Sequence, residues 1–298
     1  MFNVGSLTKN DSVLELSNTL DIIFLTYQRE KEQLLDDYEM KKKEYQQLLL
    51  AVDNIRTAYM NPYINQLYQE LEEFGSPSKK PNFITFLTDQ SLTNTWNDNE
   101  IKRRYVITKK RLLKTKIDRK DIVTKFFSEW TSNKKKLEIG NQDLKKLQDM
   151  IEIQRQEYLE EIKKISEMIP KLKIYLDILI ELKVIIKEIV LPETEGIHAF
   201  LVAKHMAAQI SVRQYPGTVT LESILKLSNT PYEMHYLFIK QLFYFYSNVI
   251  ELLEHSINID FSAKNSITPK EFSWIQEKKE VIDKSVNEMK RNLFYIQK

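Results

Sequence analysis

Histidines are the residues of this sequence best suited to acid–base or metal chemistry, and they are scattered: His198, His205, His235 and His255. His198 and His205 are seven residues apart, which two helical turns would bring to one face. No carboxylate stands where a metal triad would need one, and no HExxH motif occurs. Glu193 and Glu195 precede His198, but ETEG after a proline is typical of a helix end. We therefore predict no metal site and no catalytic residue.

Other motifs with a chemical role are missing from the sequence. There is no cysteine, which excludes disulfides, thiolate catalysis and thiolate zinc sites, and favours a reducing compartment. There is no GxxxxGK, GxGxxG or GxSxG, so nucleotide binding and acyl transfer have no recognisable motif. We expect a protein that is not an enzyme and that binds no cofactor.

Positive charge is concentrated in one part of the chain. Residues 1–75 hold 7 basic and 13 acidic side chains, a net −6, whereas residues 76–140 hold 16 basic and 7 acidic ones, a net +9. Ten of these basic residues lie within residues 101–120, and they form a candidate anion- or membrane-binding patch: Lys102, Arg103, Arg104, Lys109, Lys110, Arg111, Lys114, Lys116, Arg119 and Lys120.

Three interpretations of this basic segment remain open. It can be a solvated helix face that covers an apolar seam or pairs with the acidic first helix. It can attract anionic lipid headgroups. It can bind nucleic-acid phosphates, although few aromatic residues are interleaved for base stacking.

The spacing of apolar residues predicts the elements that would position these groups. Apolar residues recur at steps of three and four from Asp11 to Tyr59 and from Ile101 to Val190, as in long amphipathic helices. The whole chain has five glycines, too few for the turns of an α/β enzyme, so we interpret each as a boundary. The predicted class is all-α: an elongated long-helix hairpin or three-helix antiparallel coiled-coil bundle, followed by a smaller helical C-terminal domain.

Capping residues and prolines predict the helix ends. The first helix begins at Asp11 or Ser12, and Pro62 kinks or ends it. Residues 75–99 read as a structured connecting loop, and the alternative is a linear docking motif for a partner. A second helix runs from near Asp98 to Ile139.

Gly140, Pro170 and Pro192 mark further candidate interruptions of the helices. We favour a break at Gly140, which follows lysines as a helix stop would. The alternative is a continuous seam, because Leu137 and Leu144 are seven residues apart. Pro170 predicts a kink, and Pro192 predicts the end of the third long helix.

The most regular seam of the chain is the candidate surface for a partner helix. Its ten residues follow a nearly unbroken heptad-like spacing: Leu144, Leu147, Ile151, Tyr158, Ile162, Ile165, Ile169, Leu172, Leu176 and Leu179.

The C-terminal third has shorter helices and more aromatic residues. The run of aromatic residues within 236–246 is interpreted as core, and the alternative is a ligand pocket or a partner groove. Thr268, Pro269 and Glu271 predict the start of a final helix, with threonine as its cap.

The predicted organisation is a flexible N-terminus over residues 1–10, a long-helix coiled-coil region over 11–191 and a compact helical domain over 192–298. The N-terminus lacks the basic and apolar regions of a secretory signal, and no apolar run is long enough to span a membrane. We expect an intracellular protein, cytoplasmic or nuclear.

These features favour a structural or scaffold subunit of a multiprotein complex, which pairs through its long helices with itself or with sister subunits. Three long helices, a proline kink and a basic segment over residues 11–191 resemble the layout of BAR domains. That resemblance is architectural, and it implies a dimeric module that binds membrane surfaces. A nucleic-acid-associated helical subunit is the third hypothesis.

Overall fold

The computed structural model describes residues 4–74, 80–81, 96, 98–113, 122–212, 233–258 and 268–296. Seven α-helices and two π-helical turns account for nearly all of them, and these ranges contain no strand. The elements are α1 (Val4–Ile55), π1 (Arg56–Met60), α2 (Asn61–Phe74), α3 (Asn99–Leu113), α4 (Ile122–Ile185), π2 (Ile186–Val190), α5 (Leu191–Val212), α6 (Glu233–Asn258) and α7 (Pro269–Ile296). The predicted all-α class is confirmed.

The chain divides into two compact units that share its long helices. Unit 1 contains Met1–Lys42 and Leu92–Lys164, and unit 2 contains Lys43–Ser91 and Ile165–Lys298. The first parts of α1 and α4 belong to unit 1 and their last parts to unit 2. α1 begins at Val4, ahead of the predicted cap at Asp11 or Ser12, because no proline interrupts the preceding residues.

Unit 1 is built from α1, α3 and α4. Near the start of α3, Asp98 contacts Lys31 of α1 at 2.7 Å. Near its end, Lys109 contacts Asp21 at 2.8 Å. α3 therefore runs antiparallel to α1. The centre of the unit is an apolar core formed by Leu20, Phe24, Tyr27, Ile101, Leu112 and Leu147.

The predicted helix break at Gly140 is wrong, since α4 runs without interruption from Ile122 to Ile185. A Cβ atom at Gly140 would lie 2.6 Å from Cδ2 of Leu16 and 2.8 Å from Cδ2 of Leu112. This glycine therefore allows α1 and α3 to approach α4 closely. The single helix predicted from Asp98 to Ile139 is instead two helices, α3 and α4.

Unit 2 contains the two π-helical turns, and each directly precedes a proline-containing helix. The predicted helix end at Pro192 is wrong, because α5 carries the helix on to Val212. Proline lacks an N–H group and its ring clashes with the carbonyl four residues earlier. The π turns widen the backbone at this point: the Leu191 N–H bonds to the Ile186 carbonyl, five residues back.

The same arrangement recurs at Pro62. The Asn61 N–H bonds to the carbonyl of Arg56, and α2 continues to Phe74. Of the two outcomes predicted for Pro62, a kink or a helix end, the end is wrong, because the helical path continues through the π turn to Phe74. Pro170 lies inside α4.

The last two helices of unit 2 form an antiparallel hairpin. Gln241 donates to the Ser285 hydroxyl at 3.0 Å, and Lys278 donates to Asn248 at 3.0 Å. Within the aromatic run of α6, the side chains of Phe238, Phe245 and Tyr246 are fully buried, whereas Tyr244 is exposed.

The predicted cap of α7 is confirmed. The Glu271 N–H donates to the Thr268 hydroxyl at 3.2 Å, while the Glu271 carboxylate accepts from the Thr268 N–H at 2.7 Å. The two residues thus satisfy each other's backbone groups at the start of the helix.

We predict opposite effects for alanine at two helical glycines. A Cβ atom at Gly196 would meet nothing within 4 Å, so Gly196→Ala should stabilise unit 2 by about 0.5–1 kcal/mol through helix propensity. Gly140→Ala gains the same propensity but overpacks Leu16 and Leu112, which costs about 1–3 kcal/mol. Urea denaturation of both variants should show a rise in the free energy of unfolding for the first and a fall for the second. A stabilised Gly140→Ala would show that the two leucines move aside freely.

Candidate interaction surfaces

The residues of the predicted partner-helix seam lie against other helices of this same chain. Two in unit 1, Leu144 and Ile151, are partly buried beside its core. Leu176 is partly buried, and the other seven are buried: Leu147, Tyr158, Ile162, Ile165, Ile169, Leu172 and Leu179. A partner helix must therefore use a different face.

Most of the basic residues that the structure describes in the basic segment pair with carboxylates. Lys114, Lys116, Arg119 and Lys120 lie outside the described residues. Lys110 is exposed, and the other five basic residues have carboxylate partners: Lys102 with Asp98, Arg103 and Arg104 with Glu100, Lys109 with Asp21, and Arg111 with Asp143. Asp21 and Asp143 come from the neighbouring helices, so part of this charge binds unit 1 together.

One of these pairs forms a three-residue cluster between α1 and α3. Lys109 Nζ lies 2.8 and 2.9 Å from the two carboxylate oxygens of Asp21, and the Tyr105 hydroxyl donates to the same carboxylate at 2.7 Å. The hydrogen bond from Lys109 lowers the pKa of Asp21, and the same bond raises the pKa of Lys109. The Tyr105 ring stacks on Phe24 at 4.0 Å, which holds its hydroxyl in position.

A second cluster surrounds Asp98 at the start of α3. Its side chain is 8% exposed and lies 2.7 Å from Lys31 Nζ and 2.9 Å from Lys102 Nζ. Burial acts to raise the pKa of Asp98, but the hydrogen bonds from the two lysines outweigh it and lower that pKa. Its carbonyl also accepts from the Lys102 N–H at 2.9 Å, which makes Asp98 the first residue to bond into the helix.

Trp96 packs beside this cluster on an aromatic surface of α1 and α4. Its indole N–H donates to the Tyr27 hydroxyl at 2.9 Å, and its ring meets the ring of Tyr158 edge-on at 4.1 Å. Burial raises the pKa of Tyr27 to about 12, so the phenol stays protonated as the acceptor of this bond. Residues 75–99, predicted as a structured connector, are described only at Lys80, Pro81, Trp96, Asp98 and Asn99.

α1 carries an exposed apolar stripe that sequence reasoning missed. Leu14, Ile22, Leu25 and Met40 are each more than half exposed. At 100° per residue these four side chains fall within an arc of about 80°, over roughly 40 Å of helix. The signal in the sequence was a second set of apolar residues out of step with the buried ones. Their common face makes this stripe (the α1 stripe) a candidate surface for a partner.

The histidines occupy structural positions where they are described. His198 Nδ1 lies 3.3 Å from Glu70, and its ring meets Phe74 edge-on. Glu195 accepts from Gln66 at 2.9 Å, and His235 stacks on Phe200. The side chains of His205 and His255 lie outside the described set. Among the described residues there is no group of three or more possible metal ligands.

None of the described helices is both long enough and apolar enough to cross a membrane. Comparison with protein-family models, with curated proteins and with solved structures found no match to this chain.

We predict that Asp98→Asn destabilises unit 1 in a pH-dependent way. Because the folded-state pKa of Asp98 lies below its ordinary value of about 3.9, its ion pairs stabilise the fold above that value and stop doing so as the pH falls through the lower folded pKa. The variant should lose about 2 kcal/mol of unfolding free energy near pH 7, because two lysines lose a buried partner. As the pH falls below the ordinary carboxyl pKa of about 3.9 and through the lower folded-state pKa, the difference from wild type should shrink.

Glu100→Gln is the matched control for this measurement. Glu100 pairs with Arg103 and Arg104 but is 45% exposed. Its removal should cost less than about 1 kcal/mol at any pH. Equal losses in the two variants would contradict the role assigned to Asp98.

Proposed function

We propose that this protein is a non-enzymatic structural subunit that pairs through its long helices with a second copy of itself. The observation that supports this proposal is the α1 stripe. Four large, exposed aliphatic side chains on one helical face are typical of a surface that packs against a partner helix. The seam that the sequence singled out in α4 already serves the interior of the chain.

The charges along the α1 stripe favour a two-fold, antiparallel pairing. Arg29 and Asp36 are exposed and lie on the same arc as the apolar residues. With the two-fold axis between Glu32 and Gln33, Arg29 of one copy lies opposite Asp36 of the other. In the same register Leu25 lies opposite Met40.

Such a pairing repeats each contact twice because a two-fold interface uses the same patch on both copies. It would bury the two symmetric Leu25–Met40 contacts and join the two symmetric Arg29–Asp36 ion pairs. In a parallel pairing in register, Arg29 would face Arg29 and Asp36 would face Asp36, which is repulsive.

Membrane-surface binding of the BAR type stays the second hypothesis, and nucleic-acid binding the third. Both depend on cationic side chains within residues 101–120 that are available to phosphates. Five of the described ones have carboxylate partners, so these hypotheses draw less support from the structure than the α1 stripe gives to pairing. Sister subunits are the alternative partners for the stripe itself.

We predict that Arg29→Asp weakens self-association by about tenfold or more, because it places like charges opposite each other at two symmetric positions. Arg29→Asp combined with Asp36→Arg should restore the wild-type association, since the ion pairs re-form with their signs exchanged. Sedimentation velocity over a range of protein concentrations measures both.

The control variant is Arg155→Asp, which makes the same charge change at an exposed position of α4 outside the stripe. It should associate like wild type. A chain that stays monomeric at every concentration would contradict self-pairing and leave the stripe to a sister subunit. Weakening without rescue in the double variant would contradict the antiparallel register.

A further inference from the structure

A cavity of about 530 Å³ opens between α3 and α4 in unit 1. On α4 its lining residues recur at steps of three and four, so one face of the helix forms the wall: Ser132, Lys135, Lys136, Ile139, Gly140 and Asp143. Thr108, Arg111 and Leu112 of α3 form the opposite wall. Because glycine has no side chain, Leu112 packs directly against the α4 backbone at Gly140. Leu112 forms the floor of the cavity between the two walls.

The polar part of this cavity is positive. Of its described lining residues, Arg111, Lys135 and Lys136 are cationic, and Asp143 is the acidic one. Asp143 already accepts from Arg111 at 2.9 Å and faces the Thr108 hydroxyl at 3.4 Å. An arginine has five N–H donors, so this pair leaves others for a ligand.

The end of α3 works against an anion in the cavity, but weakly. A helix C-terminus has a partial charge of about −0.5. Among the described residues, the lining side chains carry a net charge of +2, from three cations and one carboxylate. The cations therefore decide the sign of the potential.

We propose that this cavity binds a phosphorylated amphiphile, with its phosphate between Lys135, Lys136 and Arg111 and its apolar part against Leu112 and Ile139. Arginine and lysine together with the Ser132 hydroxyl suit the oxygens of a phosphate monoester. The volume lies within the range of about 300–1,000 Å³ that is usual for small-ligand sites. The site shares no residue with the α1 stripe, so the proposal is independent of self-pairing.

The test is isothermal titration of the full chain with dihexanoyl phosphatidic acid, which carries a phosphate monoester on a short lipid, and with glycerol 3-phosphate. The lipid should bind about tenfold or more tightly than the headgroup alone, because its acyl chains are removed from water when they pack on the apolar floor of the cavity. Lys135→Glu combined with Lys136→Glu should weaken lipid binding by about tenfold or more.

Lys134→Glu is the matched control, because Lys134 is exposed on the same helix turn but does not line the cavity. It should bind like wild type, and circular dichroism should show all three proteins equally helical. The proposal is overturned by an absence of binding up to about 1 mM lipid, by wild-type affinity in the Lys135 and Lys136 variant, or by equal affinity for glycerol 3-phosphate.

Co-sedimentation with phosphatidic-acid vesicles then distinguishes two sources of the same chemistry. Sedimentation that the Lys135 and Lys136 variant loses identifies a membrane lipid headgroup. Binding of the monomeric lipid without sedimentation identifies a freely diffusing phosphorylated amphiphile.

Discussion

The two long helical paths of unit 2 run parallel, and each must pass a proline without losing its pairing with the other. A π turn adds one residue to a helical turn and so rotates every later side chain by about 100°. A single such turn would move one helix's apolar face away from its neighbour. Before the prolines, Lys183 lies 3.9 Å from the centre of the Tyr59 ring. Beyond them Gln66 still meets Glu195, because both helices contain the turn at the same level.

Long-range periodicity predicted the long helical stretches, whereas the local stop signals at Gly140 and Pro192 predicted helix ends where the helical path continues. The steps of three and four describe a face that stays buried over many turns, and a feature averaged over that length is hard to overrule. Gly140 and Pro192 resemble true helix ends in sequence. Their roles depend on features that a local motif does not contain. Leu16 and Leu112 pack against Gly140, and a π turn accommodates Pro192. The cap at Thr268 was predictable because its partner, Glu271, is three residues away in the sequence.

The sequence located the basic segment but could not reveal its partners. Asp21 lies 88 residues from Lys109, and Asp143 lies 32 residues from Arg111. Only the packing of three helices brings these carboxylates to the cations. Composition therefore reports how much charge a helix carries, while the fold determines how much of it faces a ligand. The same packing adds Lys135 and Lys136 to the wall beside Arg111, although nothing in their spacing along the chain joins them.

The faces of α1 show why a seam in the sequence is not by itself a partner surface. Leu20, Phe24 and Tyr27 are buried in the core of unit 1, so the most regular apolar face of α1 packs inside the protein and is not available to a partner. Single exposed apolar residues are common on protein surfaces and require no explanation. Leu14, Ile22, Leu25 and Met40 differ because they share one narrow arc with charges of both signs. An aliphatic face of this kind stabilises the protein only when another helix covers it and removes it from water. The charges on the face then determine the direction in which that helix runs.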